Sequence, residues 1–512
     1  MAFLLVYPRE ELLPFLLLLV LLLLWLCIRQ SGRKSWPPGP PAWPVIGHLP
    51  WLGQRSHVNL TNWSKEYGDI VAVRFGSEHV VVLNSYRAFK EAFVDLGPKF
   101  AGKASLPLAK LFSDNGKGII FAPYSEAWRE QRKFVLRAMR LLRNGASNEE
   151  TIIDQEAGTL VTSLLRHRGE PSNIQSDVAL SIFNVTCSVV FGQRFKPDDV
   201  AYKEFVSSMN IISTSLGSLG LSNAFPFLRK IPFLGFKDGN EDLESGFKQM
   251  RGFIANQVHQ HRQMLDPNDI RGLLDVFLLE IQRREDDGED PGSFTDDQMM
   301  QTVFDLFIAG VETVLSAFMW LVFYAAKFPT VQTTVRAELD RVLMRGESVS
   351  AAHRRALPVT EATVMEILRL ATPSPLNFRA TACDVTLRGY RLPEGTWTLM
   401  NCWAVHRDPL QWTEPDTFDF TRFLDREGRV TTPPAWRPFG IGRRTCLGEQ
   451  LARTELVVFF AALLQNFTLS LHVPVGAPLP SVEDAVLGVA LMPAAFQTRT
   501  GVYTRTLPVS ED

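Results

Sequence analysis

Between Leu12 and Ile28 almost every position is Leu, Val or Phe, and none is charged. At ~1.5 Å per residue the run reaches about 25 Å, enough to cross a thin bilayer. Arg9, Glu10 and Glu11 precede it, Arg29, Arg33 and Lys34 follow it, and no small-residue cleavage site comes after. That pattern predicts a retained signal-anchor over residues 1–35, with the chain beyond it on the cytosolic side. Trp36-Pro37-Pro38-Gly39-Pro40-Pro41 then fixes a series of φ angles, so residues 36–50 read as a stiff hinge ahead of a body spanning 51–512.

Within the body the polar and apolar periods change. Asp69–Arg74 and His79–Asn84 have the Val/Ile density of strands about a turn at Gly76-Ser77. Helical spacing dominates afterwards. Trp128 and Arg132 share one helix face, and Arg129, Lys133, Arg137 and Arg140 form a basic stripe beside them. Thr295-x-x-Gln298 reads as a capping box that opens a helix running to about Lys327, where Pro329 stops it. Its apolar residues fall on every side, which predicts burial throughout. A second membrane span is excluded because Asp305 and Glu312 leave only ~14 uncharged residues. Asp286–Asp296 reads as an exposed connection, and Phe225–Phe236, apolar but broken by two prolines, as a loop dipping into the bilayer surface. Strand-like Phe467–His472 and Val486–Leu491 close the chain. The fold class is mainly α with small β-sheets.

Composition narrows this further. A length of 512 residues suggests several domains, but 46% apolar and 11% aromatic residues can fill one large core. The net charge of −2 gives no global attraction for nucleic acid. Cys27, Cys187, Cys383, Cys402 and Cys446 are odd in number and unpaired in spacing, which points to a reducing compartment.

Candidate chemistry concentrates in Trp436–Leu463. A Gly- and Arg-rich loop delivers Cys446 to the start of an apolar helix, with Gly440, Gly442 and Gly448 permitting tight backbone. N–H groups aimed at the sulfur would favour a thiolate, which is a nucleophile or a metal ligand. No other Cys or His lies within ten residues, so zinc spacing is absent and a lone axial ligand fits better. In the middle of the long helix, Ala309-Gly310-Val311-Glu312-Thr313 places a glycine and an acid where both are unfavourable, which suggests room for a flat cofactor. Glu366-x-x-Arg369 is one helical turn of opposite charge.

Phe439-x-x-Gly442-x-Arg444-x-Cys446-x-Gly448 resembles the haem-thiolate signature of the cytochrome P-450 family. Ala309–Thr313 resembles that family's oxygen-activation motif, and Glu366, Arg369 and Arg422 resemble its Glu-Arg-Arg cluster. The anchor and proline hinge look like those of its microsomal class, most like the animal branch that oxidises drugs, fatty acids and steroids. The resemblance implies haem b held between the long helix and the cysteine loop, with Cys446 on the iron. Phe439, Ala309 and Gly310 would flank the haem, and Trp128, Arg132, Arg379 and Arg444 would hold its propionates. Glu312 and Thr313 would supply protons. The reaction implied is mono-oxygenation of an apolar small molecule, with electrons from NADPH through a flavoprotein reductase docking on the basic stripe. Cytochrome b5 would be an optional further donor. Location would be the endoplasmic reticulum membrane, single-pass and facing the cytosol. Asn377 and Phe378 are expected to reshape the pocket, and His406 is expected to be structural. A reductase-independent isomerase and a non-catalytic haem or sterol binder are the alternatives; the intact Glu312-Thr313 pair argues against the isomerase.

Overall fold

The computed structural model describes residues 14, 17, 19–22, 35–43, 46–52, 55–104, 112–113, 116–143, 148–218, 239–473 and 481–503. The bilayer-dipping loop expected at 225–236 and most of the expected anchor lie outside them. The long helices are α1 (Ser56–Tyr67), α2 (Glu126–Arg143), α3 (Glu149–Leu165), α4 (Gln175–Phe191), α5 (Val200–Ser218) and α6 (Gly239–Gln263). They continue with α7 (Leu273–Asp286), α8 (Asp296–Lys327), α9 (Pro329–Val342), α10 (Pro358–Ala371) and α11 (Glu449–Asn466).

The axis of this arrangement is α8. Thr295 caps it by accepting the Gln298 N–H at 3.3 Å, and it ends where Phe328 turns extended and Pro329 opens α9. Aromatic rings lock it to its neighbours. Phe307 stacks on Phe191 of α4 at 5.2 Å, Phe304 meets Phe247 of α6 at 5.5 Å, and Phe318 meets Phe459 of α11 at 6.0 Å. Each buried ring contributes about 1.5–3 kcal/mol, so a helix apolar all round is stable only when surrounded. It is a core helix, as its two acids predict. From 299 to 326 a single residue, Ala309, is exposed.

β1 (Ile70–Phe75) and β2 (Glu78–Leu83) form the expected antiparallel hairpin about Gly76, whose φ of 64° suits the turn. β3 (Leu376–Ala380), the short hairpin of β4 (Val385–Leu387) and β5 (Tyr390–Leu392), and β6 (Trp397–Asn401) follow. The main sheet runs β1-β2-β6-β3, with β6 parallel to β2 and antiparallel to β3. The hinge docks on its edge: Ala72 N–H donates to the Pro38 carbonyl at 2.8 Å, and Trp36 packs on His79 at 4.9 Å. Gly39 is required there, because a Cβ would fall 1.9 Å from the Ala72 oxygen.

β7 (Phe467–His472) forms as expected and pairs with β10 (Gln497–Val502). Val486–Leu491 departs from expectation. It is a tight turn between β8 (Val486–Leu487) and β9 (Leu491–Met492), and the Leu491 carbonyl is held by Ser316 and Trp320 of α8 at 2.8 and 2.7 Å. The Asp286–Asp296 connection is exposed except at Phe294, which is buried under the Arg284 guanidinium at 3.9 Å.

A buried cluster ties α6 to α7. Asp275 accepts from His261 Nδ1 at 2.7 Å and from Arg271 at 2.8 Å. Burial pushes its carboxyl up, but these hydrogen bonds more than offset that and hold it down at about 2, against an ordinary 3.8. A carboxyl lowered on folding contributes stability that is complete above the unfolded value and is lost as pH falls from about 4 to about 2. Asp275→Asn is expected to lower stability at neutral pH by about 2 kcal/mol. In denaturant titrations the gap from the parent protein should narrow below pH 4; a gap independent of pH would rule out this ionisation.

Candidate functional site

The cysteine loop is anchored at its base by Trp436. This buried ring donates to the Met365 carbonyl at 3.0 Å and packs on Phe439 at 5.9 Å. Gly440 and Gly442 take positive φ (75° and 82°), and a Cβ on Gly442 would lie 2.1 Å from the Phe93 oxygen. The turn brings the Cys446 N–H to the Phe439 carbonyl at 2.9 Å. Gly448 differs from expectation: its φ is −90° and open space lies where a Cβ would go, so it serves as the N-cap of α11 and not as a close-approach residue.

Cys446 is exposed, yet burial still pushes its thiol up. A sulfur set back among protein atoms and open on one side satisfies both. The N–H groups of Gly448 and Glu449 do point at it, as expected, and with Arg132 they pull the thiol down, but less than burial raises it. The loop's N–H groups thus act on the sulfur in the expected direction, and burial acts against them. The loop presents a ligand that ionises when a cation supplies the missing charge.

Around the loop, α2 and β3 converge their cations. Arg132 donates to the Thr445 carbonyl at 2.6 Å and Arg379 to the Arg444 carbonyl at 3.3 Å. Arg444 donates to the carbonyls of Ala101, Ile119 and Ala122 at 2.8, 3.2 and 2.7 Å and lies over Trp128 at 4.3 Å. Trp128 is fixed by its own bond to the Ile119 carbonyl at 2.9 Å. Lys103, which sequence reasoning missed, joins them: burial lowers it well below an ordinary lysine, and Arg379 and Arg444 lower it further. Burial, reinforced by mutual repulsion, brings Arg379 to about 10 and Arg444 to about 9. Among the described residues none of these four side chains has a carboxylate within 4.0 Å. Asp305 attracts Lys103 from beyond contact distance, but the arginines have no carboxylate against them, and this concentration of positive charge suits a group bearing two carboxylates.

Asp305, read from the sequence only as an interruption of the apolar run, ties this cluster to α8. It accepts the N–H groups of Ile119 and Ile120 at 2.6 and 2.8 Å. Ile119 thus links Asp305 to Trp128 and Arg444, and Ala309, one turn further along α8, is the exposed point of that helix. Thr313 lies a turn beyond, its hydroxyl bonded back to the Ala309 carbonyl at 2.5 Å. Gly310 faces elsewhere. A Cβ there would sit 3.3 Å from Thr186 Oγ1 on α4, so its missing side chain makes room for helix packing. Glu312 turns toward α5 and accepts from Ser213 at 3.2 Å. Phe378 is a further correction. Strand alternation sends it to the face opposite Arg379, onto Phe75 and Trp397 at 6.1 and 6.3 Å, while Asn377 turns to Ser374 and Cys402. His406 is structural: Thr372 and the Arg437 N–H occupy its two ring nitrogens at 3.0 and 2.9 Å.

Comparison with known proteins agrees with this geometry. The family model described as Cytochrome P450 matches residues 37–498. Human cytochrome P450 2J2 is 33% identical over 447 residues, covering 86% of this chain and 87% of the relative. Rat cytochrome P450 2U1 is 33% identical over 503 residues, 93% of each chain. Cytochrome P450 18a1 of Drosophila melanogaster is 32% identical over 492 residues, 94% of this chain and 90% of the relative. The cofactor is haem b, a flat apolar ring with two carboxylates, which suits an interior thiol, an exposed helix point and a ring of unpaired cations. The protein is a monooxygenase, an oxidoreductase, and the chain belongs to the cytochrome P450 family.

Proposed function

We propose that this is a membrane-anchored haem-thiolate monooxygenase that uses O2, and electrons from NADPH through a flavoprotein reductase, to hydroxylate an apolar small molecule: a fatty acid, a steroid or a xenobiotic. The carrying observation is the interior thiol of Cys446 joined, through Arg444, Ile119 and Asp305, to the exposed point of α8. Bound haem supplies the activation of O2 and the insertion of one oxygen atom into a C–H bond. The remaining work falls to side chains. Cys446 would hold the iron, and Trp128, Arg132, Arg379, Arg444 and Lys103 would hold the propionates. Ala309 would leave space beside the ring. Burial raises the Glu312 carboxyl, against the lowering bond from Ser213, which favours its protonated form and suits a proton donor. Thr313 can pass that proton when its hydroxyl leaves the Ala309 carbonyl.

Location and partners rest on surfaces. The described residues at 14, 17 and 19–22 are helical, and Leu17, Leu19, Val20, Leu21 and Leu22 are about half exposed, as a span through lipid requires. With the basic flank at Arg29, Arg33 and Lys34 this supports a single pass through the endoplasmic reticulum membrane, the body facing the cytosol. Arg129, Lys133, Arg137 and Arg140 are exposed along α2, the helix whose inner face carries Arg132, and present a cationic face to the reductase or to cytochrome b5. Half-buried Phe121, packed under the Lys103 ammonium at 4.9 Å and against Phe112 at 5.0 Å, favours an apolar substrate.

With NADPH, purified reductase and O2, product is expected to form and to require all three. Product formed from a hydroperoxide without reductase would refute the reading in favour of the isomerase. Thr313→Ala is expected to lower product per NADPH several-fold and raise peroxide release; unchanged coupling would remove Thr313 from the proton path.

A further inference from the structure

Among the described residues the Glu312 carboxyl has one hydrogen-bond partner, the Ser213 hydroxyl of α5, at 3.2 Å. The same hydroxyl sits where a third element closes in: a Cβ on Gly488, in the turn between β8 and β9, would lie 2.8 Å from Ser213 Oγ. That turn is itself held to α8 through the bonds of Ser316 and Trp320 to Leu491. Three elements, α5, α8 and the 488 turn, therefore meet at one hydroxyl. The turn and α8 are fixed to each other by those bonds, and α5 meets the pair at this hydroxyl. The acid and Thr313 are sequence neighbours, yet each is engaged elsewhere, Thr313 on the Ala309 carbonyl and Glu312 on α5.

We propose that Ser213 is a positioning residue that makes the direction of the Glu312 carboxyl depend on where α5 sits. With α5 seated on the 488 turn, the acid stays on Ser213. A ligand bulky enough to lift α5 beyond hydrogen-bond reach releases the acid toward Thr313. Proton supply is thereby graded by ligand size, with no contact between the ligand and the acid. Gly488 belongs to the device, because any side chain there would displace the hydroxyl. The inference rests on the monooxygenase reading and deepens it.

The test uses the haem-loaded enzyme and four variants: Ser213→Ala, Ser213→Thr, Gly488→Ala and Glu312→Ala. Hydrogen–deuterium exchange over residues 209–215 reads the bond without turnover. Ser213→Ala and Gly488→Ala are expected to speed exchange about five- to ten-fold, as loss of one hydrogen bond to a carboxylate implies, and Ser213→Thr to restore it. In the Glu312→Ala background Ser213→Ala should add nothing. Exchange unchanged in Ser213→Ala, or changed equally with and without Glu312, would overturn the proposal. Product per NADPH is then compared for dodecanoic acid and progesterone. The parent enzyme should couple the two differently, and Ser213→Ala should remove the difference. A difference that persists in Ser213→Ala overturns the positioning role even if exchange responds. Coupling insensitive to Thr313→Ala would instead strike the underlying proton-delivery reading.

Discussion

Cys446→Ala is expected to abolish the strongly red-shifted Soret band of the reduced carbon-monoxide complex. The shift reports a thiolate opposite the carbon monoxide, and no other described thiol can take that place. Cys187 and Cys402 are buried, and burial pushes the Cys402 thiol up to about 12 despite Asn377 and Arg379 beside it. Cys383 is half-buried ahead of the β4–β5 hairpin, away from the loop. His406 is fully buried with both nitrogens engaged, so it does not substitute either. Arg132, Arg379, Arg444 and Lys103 remain in the variant, so some haem should still bind, with an ordinary spectrum. A Cys446→Ala protein that keeps the red-shifted band would refute the ligand assignment outright.

Arg369→Ala is expected to prevent accumulation of folded, haem-loaded protein. Arg369 is fully buried, bonded to both oxygens of the equally buried Glu366 at 2.6 and 2.8 Å. It also donates to the carbonyls of His406 and Pro415 at 2.7 and 2.6 Å and lies over Trp412 at 5.1 Å. Removing it leaves a buried carboxylate held by the Asp419 N–H at 2.9 Å and facing the Arg422 guanidinium, whose Nε is 3.5 Å away. Breaking a buried pair in this way costs about 3–5 kcal/mol, a large share of the ~5–15 kcal/mol that holds a typical domain folded. Lysine should not rescue it, because one ammonium cannot reach four acceptors in a plane. Arg422→Ala should be milder. The measurements are haem content per chain and thermal midpoint. A soluble Arg369→Ala protein with full haem content and only slower turnover would show that the cluster serves chemistry and not the fold.

What the sequence disclosed follows from how local each signal is. The capping threonine, the proline stop and the all-round apolar pattern of α8 lie within one segment, and so do the strand pair about Gly76 and the glycines of the cysteine loop. Arg132, Arg379 and Arg444 were legible because each sits in a short motif. Lys103 was not: it is a single lysine in a connection, and its meaning comes from Arg379 and Arg444, which the fold brings near it. Ser213 and Gly488 are likewise silent in one dimension, since they acquire a role only where α5, α8 and a turn nearly 180 residues further on converge. Phe378 was misread because the direction of a side chain depends on which face its element turns to a neighbour. The N–H groups around the sulfur were legible in the loop, but the solvent that the sulfur loses was not.

The ring of Lys103, Arg132, Arg379 and Arg444 has a consequence for how much of this protein a cell holds. Like charges packed together oppose the compact state, and a dianionic cofactor relieves that opposition only in the native chain. Haem supply and folding are therefore linked by mass action. Scarcity of the cofactor should shift the population toward the unfolded chain and its proteolysis, so abundance would follow haem synthesis even at a constant rate of translation.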